Sequence, residues 1–441
     1  MIMSFSNQIS VVGLWHLGEV FSVGLAELGH KVTGIDPGEM IINNFKAGVL
    51  PLNEPGLDKL LAENLADNLS FSSDYSLVKN CGIVWFTVDT PVNDEDEADI
   101  TVVEDSILKT LPYFKDSVLL VFSSQLPVGT CHYFKKLISQ KRPELIFDLA
   151  YVPENLQLGR AVMSFFEPDR IVIGAENENV FQKIEDIFKP ICSNFLRMNL
   201  ASAEMAKHAI NSFLATSLTF TYDLADICES VGADILDISK ALRSDPRIGQ
   251  AAYLDASVGF SGGTLGRDLK VLLNKANESG VDLPVIRSVF NKNTHRKNLV
   301  INRLEEIMGG LSGKRICILG VTYKPGTSTL KRSMALEISK ELERRGAFVS
   351  ATDPGAITEE VMASGIKNFS KNYKEVIKDS HAVVLVTAWP EFKDIDFQSL
   401  AQTMQLPKIF FDTRNFLADK TSHFVGAGFR YLGVGRGEHV N

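Results

Sequence analysis

Two segments far apart in this chain repeat one local design, and that repeat constrains the fold more than any other feature. The first runs from an apolar, β-branched stretch at Ile9 to Val12 into a glycine turn and then a helical pattern marked by Phe21, Leu25 and Leu28. It closes on a second strand-like stretch, Lys31 to Ile35, ending at Asp36. The second places strand-like Arg315 to Leu319 before Gly320, a helical pattern from Ser333 to Arg345, Gly346, and strand-like Phe348 to Thr352. The pair Asp353-Pro354 then matches Asp36-Pro37. A strand that passes through a tight turn into a helix and back to a second strand is a βαβ unit, because parallel neighbours need a crossover long enough to hold a helix. Two such units predict an α/β protein with two doubly wound sheets.

Further strand-like runs at Ile83 to Val88, Ser117 to Ser123 and Phe147 to Val152 extend the first sheet. From Ala201 to about Ser230 there is no Gly or Pro. Met205, Ile210, Phe213, Leu214, Leu218, Leu224 and Ile227 recur there at helical spacing, which predicts one long helix. Helical sequence continues through Leu304, interrupted by the glycine cluster Gly259 to Gly266. The expected organisation is a Rossmann domain over residues 1–200, a helical middle over 201–308 and a Rossmann-like domain over 309–441, joined by the long central helix. A chain of 441 residues has room for two or three such domains.

The composition excludes several classes. Acidic residues outnumber basic ones, 54 to 45, for a net charge of −9, which argues against nucleic acid as the main ligand. No apolar run approaches the roughly 20 residues of a membrane span. The start, MIMSFSNQIS, lacks the basic-then-apolar order of a signal peptide, so the expected location is the cytoplasm. Cys81, Cys131, Cys192, Cys228 and Cys317 are scattered, without a C-x-x-C pair, and read as small buried thiols rather than a disulfide or zinc framework. His16, His208 and His295 show no ligand spacing, and no metal is expected.

Short motifs carry the chemistry. In chain order they are LNEPGL (Leu52 to Leu57), Thr90-Pro91 followed by DEDEAD (Asp94 to Asp99), PVGT (Pro127 to Thr130), PENL (Pro153 to Leu156) and PDRIVIG (Pro168 to Gly174). They continue with AEMAK and NSFLAT (Ala203 to Thr216), DPRIG (Asp245 to Gly249), ASVGFSGG through Arg267-Asp268, YKPGT (Tyr323 to Thr327), WPEF (Trp389 to Phe392) and DTRN (Asp412 to Asn415). In this order they make a sequence that resembles the UDP-glucose/GDP-mannose dehydrogenase family over essentially the whole chain. The resemblance implies an NAD-binding N-terminal domain, a homodimer through the central helix and a C-terminal nucleotide-sugar domain. Family members oxidise a sugar alcohol to a carboxylate in two hydride transfers, through a cysteine thioester.

Several side chains depart from that pattern. The dinucleotide loop reads Gly13-Leu14-Trp15-His16-Leu17-Gly18. The turn-forming first glycine and the helix-packing third glycine remain, and Asp36 stands where the ribose carboxylate is expected, favouring NAD over NADP. Trp15 occupies the second glycine position, where an indole either displaces the dinucleotide or stacks on part of it. His16 either touches a dinucleotide phosphate or is merely exposed in the turn. Thr90 and Lys331, the latter in place of a family arginine, complete the cofactor set that the resemblance implies.

The family cysteine lies in a stretch like G-G-S-C-x-P-K-D, matched here by Ser261 to Asp268, so Thr264 replaces the nucleophile. A thiol ionises near about 8.5 and a threonine hydroxyl far above it, so a cysteine thioester at this site is excluded and Thr264 reads as a hydrogen-bonding or packing residue. Glu154 matches a glutamate tied to water activation, whereas a second family glutamate is Leu158, a threonine is Gln125 and a lysine is Asp255. Lys207, Asn211 and Asp268 are retained. Lys207 and Asn211 stand four apart, hence on one helix face, which is either catalytic or simply solvated. A lysine and an aspartate holding a water beside a sugar hydroxyl make a general base with an oxyanion stabiliser. Arg247, Phe260, Lys324 and Arg414 match substrate contacts, the basic ones suited to phosphate oxygens.

Three functions fit these residues. The favoured one is an NAD-dependent oxidoreductase on a CH–OH group of a nucleotide sugar, UDP-sugars first, stopping after one two-electron step. The second is a catalytically silent nucleotide-sugar-binding relative serving as a regulator or partner. The third is a dehydrogenase of a non-sugar nucleotide or nucleoside.

Overall fold

The computed structural model describes residues 7–439 except 53, 66, 92–97, 155, 157 and 261–263. Most of the DEDEAD stretch and the three residues before Thr264 therefore lie outside the described residues. The chain divides into two compact units, Met1–Ala209 and Ile210–Asn441.

In the first unit eight strands form one sheet: β1 (Gln8–Val12), β2 (Lys31–Ile35), β3 (Leu69–Ser72), β4 (Ile83–Phe86), β5 (Val118–Phe122), β6 (Phe147–Tyr151), β7 (Ile171–Gly174) and β8 (Phe195–Met198). Their spatial order is β3-β2-β1-β4-β5-β6-β7-β8. The β6–β7 pair is antiparallel and all other pairs are parallel. The first six follow the doubly wound dinucleotide order, in which the strand sequence reverses between β1 and β4 and opens a crevice at their carboxyl ends. Strand period explains the two layers of core. Ile83 and Trp85 of β4 pack with Ile9 and Val11, while Val84 and Phe86 pack with Val12 and Val118 on the opposite face. All five residues of β5 are buried, each contributing about 1.5–3 kcal/mol relative to exposure, as expected of a central parallel strand.

The predicted long helix runs from Leu200 to Val231, 32 residues or roughly 48 Å at 1.5 Å per residue. Residues up to Ala209 belong to the first unit and those from Ile210 to the second.

The second unit holds helices Leu265–Ser279, Pro284–Arg296 and Asn298–Met308, then a second sheet. Its strands are β9 (Arg315–Leu319), β10 (Phe348–Thr352), β11 (Asn368–Phe369), β12 (Ala382–Leu385), β13 (Ile409–Asp412), β14 (Arg430–Gly433) and β15 (Gly437–His439). The order β11-β10-β9-β12-β13-β14-β15 repeats the first sheet's design, with β15 antiparallel at the edge. The helix between β9 and β10, Met334–Arg344, starts where the side chain of the N-cap residue Ser333 accepts the N–H of Ala335 at 3.2 Å. Among the described residues no helix is long and apolar enough to cross a membrane.

Candidate active site

The carboxyl ends of β1 and β2 build the turn that the sequence marks as a candidate dinucleotide site in the first unit. Gly13 has φ +94°, and a Cβ there would meet the Val88 backbone at 2.7 Å. A Cβ on Gly18 would lie 1.8 Å from the Gly13 carbonyl oxygen, so the helix His16–Glu27 can approach the loop only with hydrogen at that position. Thr87 pins the turn from β4, its hydroxyl donating to the carbonyls of Gly13 at 2.7 Å and Val12 at 3.1 Å. Asp36 accepts the N–H of Leu14 at 3.0 Å and of Gly38 at 2.9 Å, which fixes its carboxylate at the end of β2. The first and third glycines and the acid thus keep the geometry that a dinucleotide needs. Trp15 sits at the N-cap with φ −84° and ψ −162°, ordinary for any L-residue, and its side chain is exposed.

His16 is not a free turn residue. Its Nε2 lies 2.7 Å from Oε1 of buried Glu54, in the LNEPGL motif. Glu54 also accepts the N–H groups of Gly159 at 2.7 Å and Ala161 at 3.0 Å, so one carboxylate joins the dinucleotide loop to the segment that follows PENL. Leu14 is core and Leu17 packs against it. Thr90 is buried and donates to the carbonyl of Gln125 at 3.0 Å.

Lys207 is buried rather than solvated. Its ammonium donates to the Glu154 carboxylate at 3.1 Å and also to the Glu154 backbone carbonyl. The same helix face carries two residues whose roles the sequence reading missed. Glu204, fully buried, accepts the N–H groups of Gly129 at 2.6 Å and Cys131 at 2.7 Å, capping the helix Thr130–Lys141 at the PVGT motif. His208 donates to the Leu126 carbonyl at 2.9 Å, a structural contact. Glu204 lies inside AEMAK, so the motif marks it, but its partners are some seventy residues away in sequence.

In the second unit the Asn211 amide donates to the carboxylate of fully buried Asp268, near the start of helix Leu265–Ser279. Thr264 precedes that helix as its N-cap residue; it is exposed and its side chain makes no cap hydrogen bond. No thiol stands in for it, because all five cysteines are free and buried. Burial pushes the Cys81 and Cys228 thiols up, Cys131 well up and Cys317 up to about 12. These sulfurs stay protonated and inert.

Lys324 and Arg414 meet at one pocket of the second unit, which Gly259, Tyr323 and Thr387 also line. The DTRN turn presents Arg414 because buried Asp412 accepts the N–H groups of Arg414 at 3.1 Å and Leu417 at 2.7 Å. Phe260 borders this region through its backbone, exchanging hydrogen bonds with Asn293 at 2.9 and 3.2 Å, while its ring packs with Tyr222, Leu269 and Val289. Arg247 is 87% exposed and folds back on Asp245 at 2.6 Å. Lys331 is exposed in the turn before Ser333. Asp353, the repeat's equivalent of Asp36, is closed to any ligand ribose. Its buried carboxylate takes the N–H groups of Val321, Thr322, Gly355 and Ala356, the Thr322 hydroxyl and the Trp389 indole. Of the two repeats, only the first therefore offers its acid to a ligand. Among the described residues no cluster of His, Cys, Asp and Glu is arranged to hold a metal.

One further buried acid lies in the dinucleotide helix. Glu19 is fully buried, and among the described residues its carboxylate accepts one hydrogen bond, from the Leu52 N–H at 3.3 Å. Burial first, with the Glu54 charge adding to it against that hydrogen bond, pushes its carboxyl from 4.5 up to about 8. Between those values the native state holds a proton that the unfolded chain has lost, so this group's contribution to stability falls as pH rises through the window. Glu19→Gln is expected to match wild type near pH 5 and to gain about 2 kcal/mol on it near pH 8.5. Unfolding midpoints across pH check this, and parallel curves for the two proteins would contradict it.

Three matched domains follow one another along the chain. The NAD binding domain of the UDP-glucose/GDP-mannose dehydrogenase family covers residues 7–192, its central domain 201–295 and its UDP binding domain 317–419. The chain is 33% identical to the UDP-glucose 6-dehydrogenase of Rickettsia bellii, over 97% of this chain and 99% of that one. It is 32% identical to the UDP-glucose 6-dehydrogenase TuaD of Bacillus subtilis, over 98% and 93%. Its fold matches a UDP-glucose dehydrogenase from Pyrobaculum islandicum with a TM-score of 0.89 at 28% identity, covering 99% of both chains. The chain belongs to the UDP-glucose/GDP-mannose dehydrogenase family, as an oxidoreductase with NAD as its cofactor and a nucleotide sugar as its substrate.

Proposed function

We propose that this enzyme oxidises a CH–OH group of a UDP-sugar in a single two-electron step that ends at the carbonyl, with no covalent thioester. The observation that carries this reading is the lack of a usable thiol. Position 264 is an exposed threonine, and every cysteine in the chain is buried. NAD, where bound, would supply the hydride acceptor for the carbinol carbon. Asp36, Thr90 and the Gly13–Gly18 loop would hold the dinucleotide, and the family resemblance assigns Lys331 to the cofactor as well. In the second unit Asp268, oriented by Asn211, is assigned the role of general base acting through a water; in the first unit the Lys207 ammonium, held by Glu154, is assigned the stabilisation of negative charge on oxygen. Lys324 and Arg414 bind the diphosphate, with Arg247 and Phe260 completing the nucleotide-sugar contacts. Thr264 hydrogen-bonds the sugar. Retention of Lys207, Glu154, Asn211 and Asp268 within three matched family domains favours an enzyme over a silent binding protein.

Product identity tests the reading. With NAD and a panel of UDP-sugars, mass spectrometry after hydroxylamine trapping is expected to find the oxime of a two-electron product. A uronic acid as the sole product overturns it.

The enzyme is further proposed to be a homodimer. Phe213, Phe220 and Ile227 on the long helix are 71%, 51% and 53% exposed and recur every seven residues, an apolar stripe suited to a second copy. Light scattering is expected to give twice the chain mass, and a monomer at micromolar concentration would count against it.

A further inference from the structure

Of the six residues from Gly13 to Gly18, Trp15 is the one with an exposed side chain, at 48%. Leu14 is fully buried, Leu17 packs on the core and His16 is held by Glu54. The loop keeps its glycine-dependent turn around the indole, because Gly13 and Gly18 carry the steric demand and Trp15 does not. No side chain caps the first turn of helix His16–Glu27, so its leading N–H groups remain suited to a phosphate. An indole exposed on such a loop presents its ring face and its N–H to whatever binds against the loop.

We propose that Trp15 is a dinucleotide contact, its indole covering part of bound NAD in place of the close backbone approach that glycine gives elsewhere in the family. This rests on the NAD assignment and is independent of how many oxidation steps follow. An indole offers a flat face to a base or ribose and one N–H donor to an oxygen, so the contact depends on the aromatic ring. The alternative is that the indole occludes the site, and then removing it improves binding.

The chain supplies its own probe. Of its three tryptophans, Trp85 is fully buried and Trp389 is 8% exposed, leaving Trp15 as the one that solvent or ligand reaches. NAD is expected to quench the wild-type fluorescence by contact with the exposed indole, and this quenching should be lost or greatly reduced in Trp15→Phe, which keeps the other two indoles. By calorimetry, Trp15→Phe is expected to bind NAD within about threefold of wild type and Trp15→Ala about tenfold or more weakly. Thermal midpoints for both variants should stay near wild type, since the side chain is outside the core. Trp15→Ala binding NAD within threefold of wild type or more tightly, or equal quenching in Trp15→Phe and wild type, would overturn the proposal. Neither readout depends on turnover.

Discussion

Lys207→Ala is expected to lower kcat by about 10²- to 10⁴-fold, the range for losing a positioned proton-transfer or charge-stabilising group. Lys207 is 7% exposed, and its ammonium is bonded to Glu154 through both the carboxylate and the backbone carbonyl. Removing one partner of a buried pair costs about 3–5 kcal/mol, because the other charge is left uncompensated. The variant will therefore also lose stability, and the two effects must be separated. Lys207→Met fills most of the volume without charge, and Lys207→Arg keeps the charge in a different shape. All three should bind NAD nearly as wild type does while kcat falls. Steady-state kinetics alongside calorimetry and thermal midpoints make the separation, and a kcat within tenfold of wild type in Lys207→Met would remove this residue from the chemistry.

Gly18→Ala has the largest expected structural effect. The new Cβ would stand 1.8 Å from the Gly13 carbonyl oxygen, 2.8 Å from its carbon and 3.0 Å from the Thr87 hydroxyl. These are mostly backbone atoms at the junction of β1, β4 and the helix, and none can turn away. Relief requires the helix to move off the sheet, which disturbs the contacts of Val20, Phe21 and Leu25 with the core. A cost above about 3 kcal/mol and loss of measurable NAD binding are expected. Gly29→Ala is the control. It has φ +88° with nothing within 4 Å of the added carbon, so it pays backbone strain of only about 1 kcal/mol. A Gly18→Ala protein with a wild-type unfolding midpoint and NAD affinity would show that the loop has slack this geometry does not contain.

The elements that were legible in sequence are those whose signals are local. β1, β2, β9 and β10 announce themselves by apolar runs beside glycine turns, and the long helix by thirty residues without Gly or Pro. β3 and β8 did not. β3 is four residues with two serines. β8 is a partly exposed edge strand whose Arg197 is committed to Glu178 and Glu185, so neither has the apolar density of a buried strand. Motif spacing singles out Lys207, Asn211, Asp268, Lys324 and Arg414 as candidate site residues. It could not say that Lys207 is buried, that His16 is bound to Glu54 38 residues on, or that Glu204 caps the PVGT helix. Those facts depend on chain segments brought together only by folding.

A family member without an accessible thiol is expected to stop after one hydride transfer. The most direct measurement is the amount of NADH formed per UDP-sugar consumed, with enzyme and NAD in excess and the reaction driven to completion. One NADH per sugar, with a trapped carbonyl product, is the predicted result. Two NADH per sugar with a free uronic acid would mean that water, Thr264 or another group adds to the carbonyl for a second hydride transfer, and that the enzyme does not stop at the two-electron product.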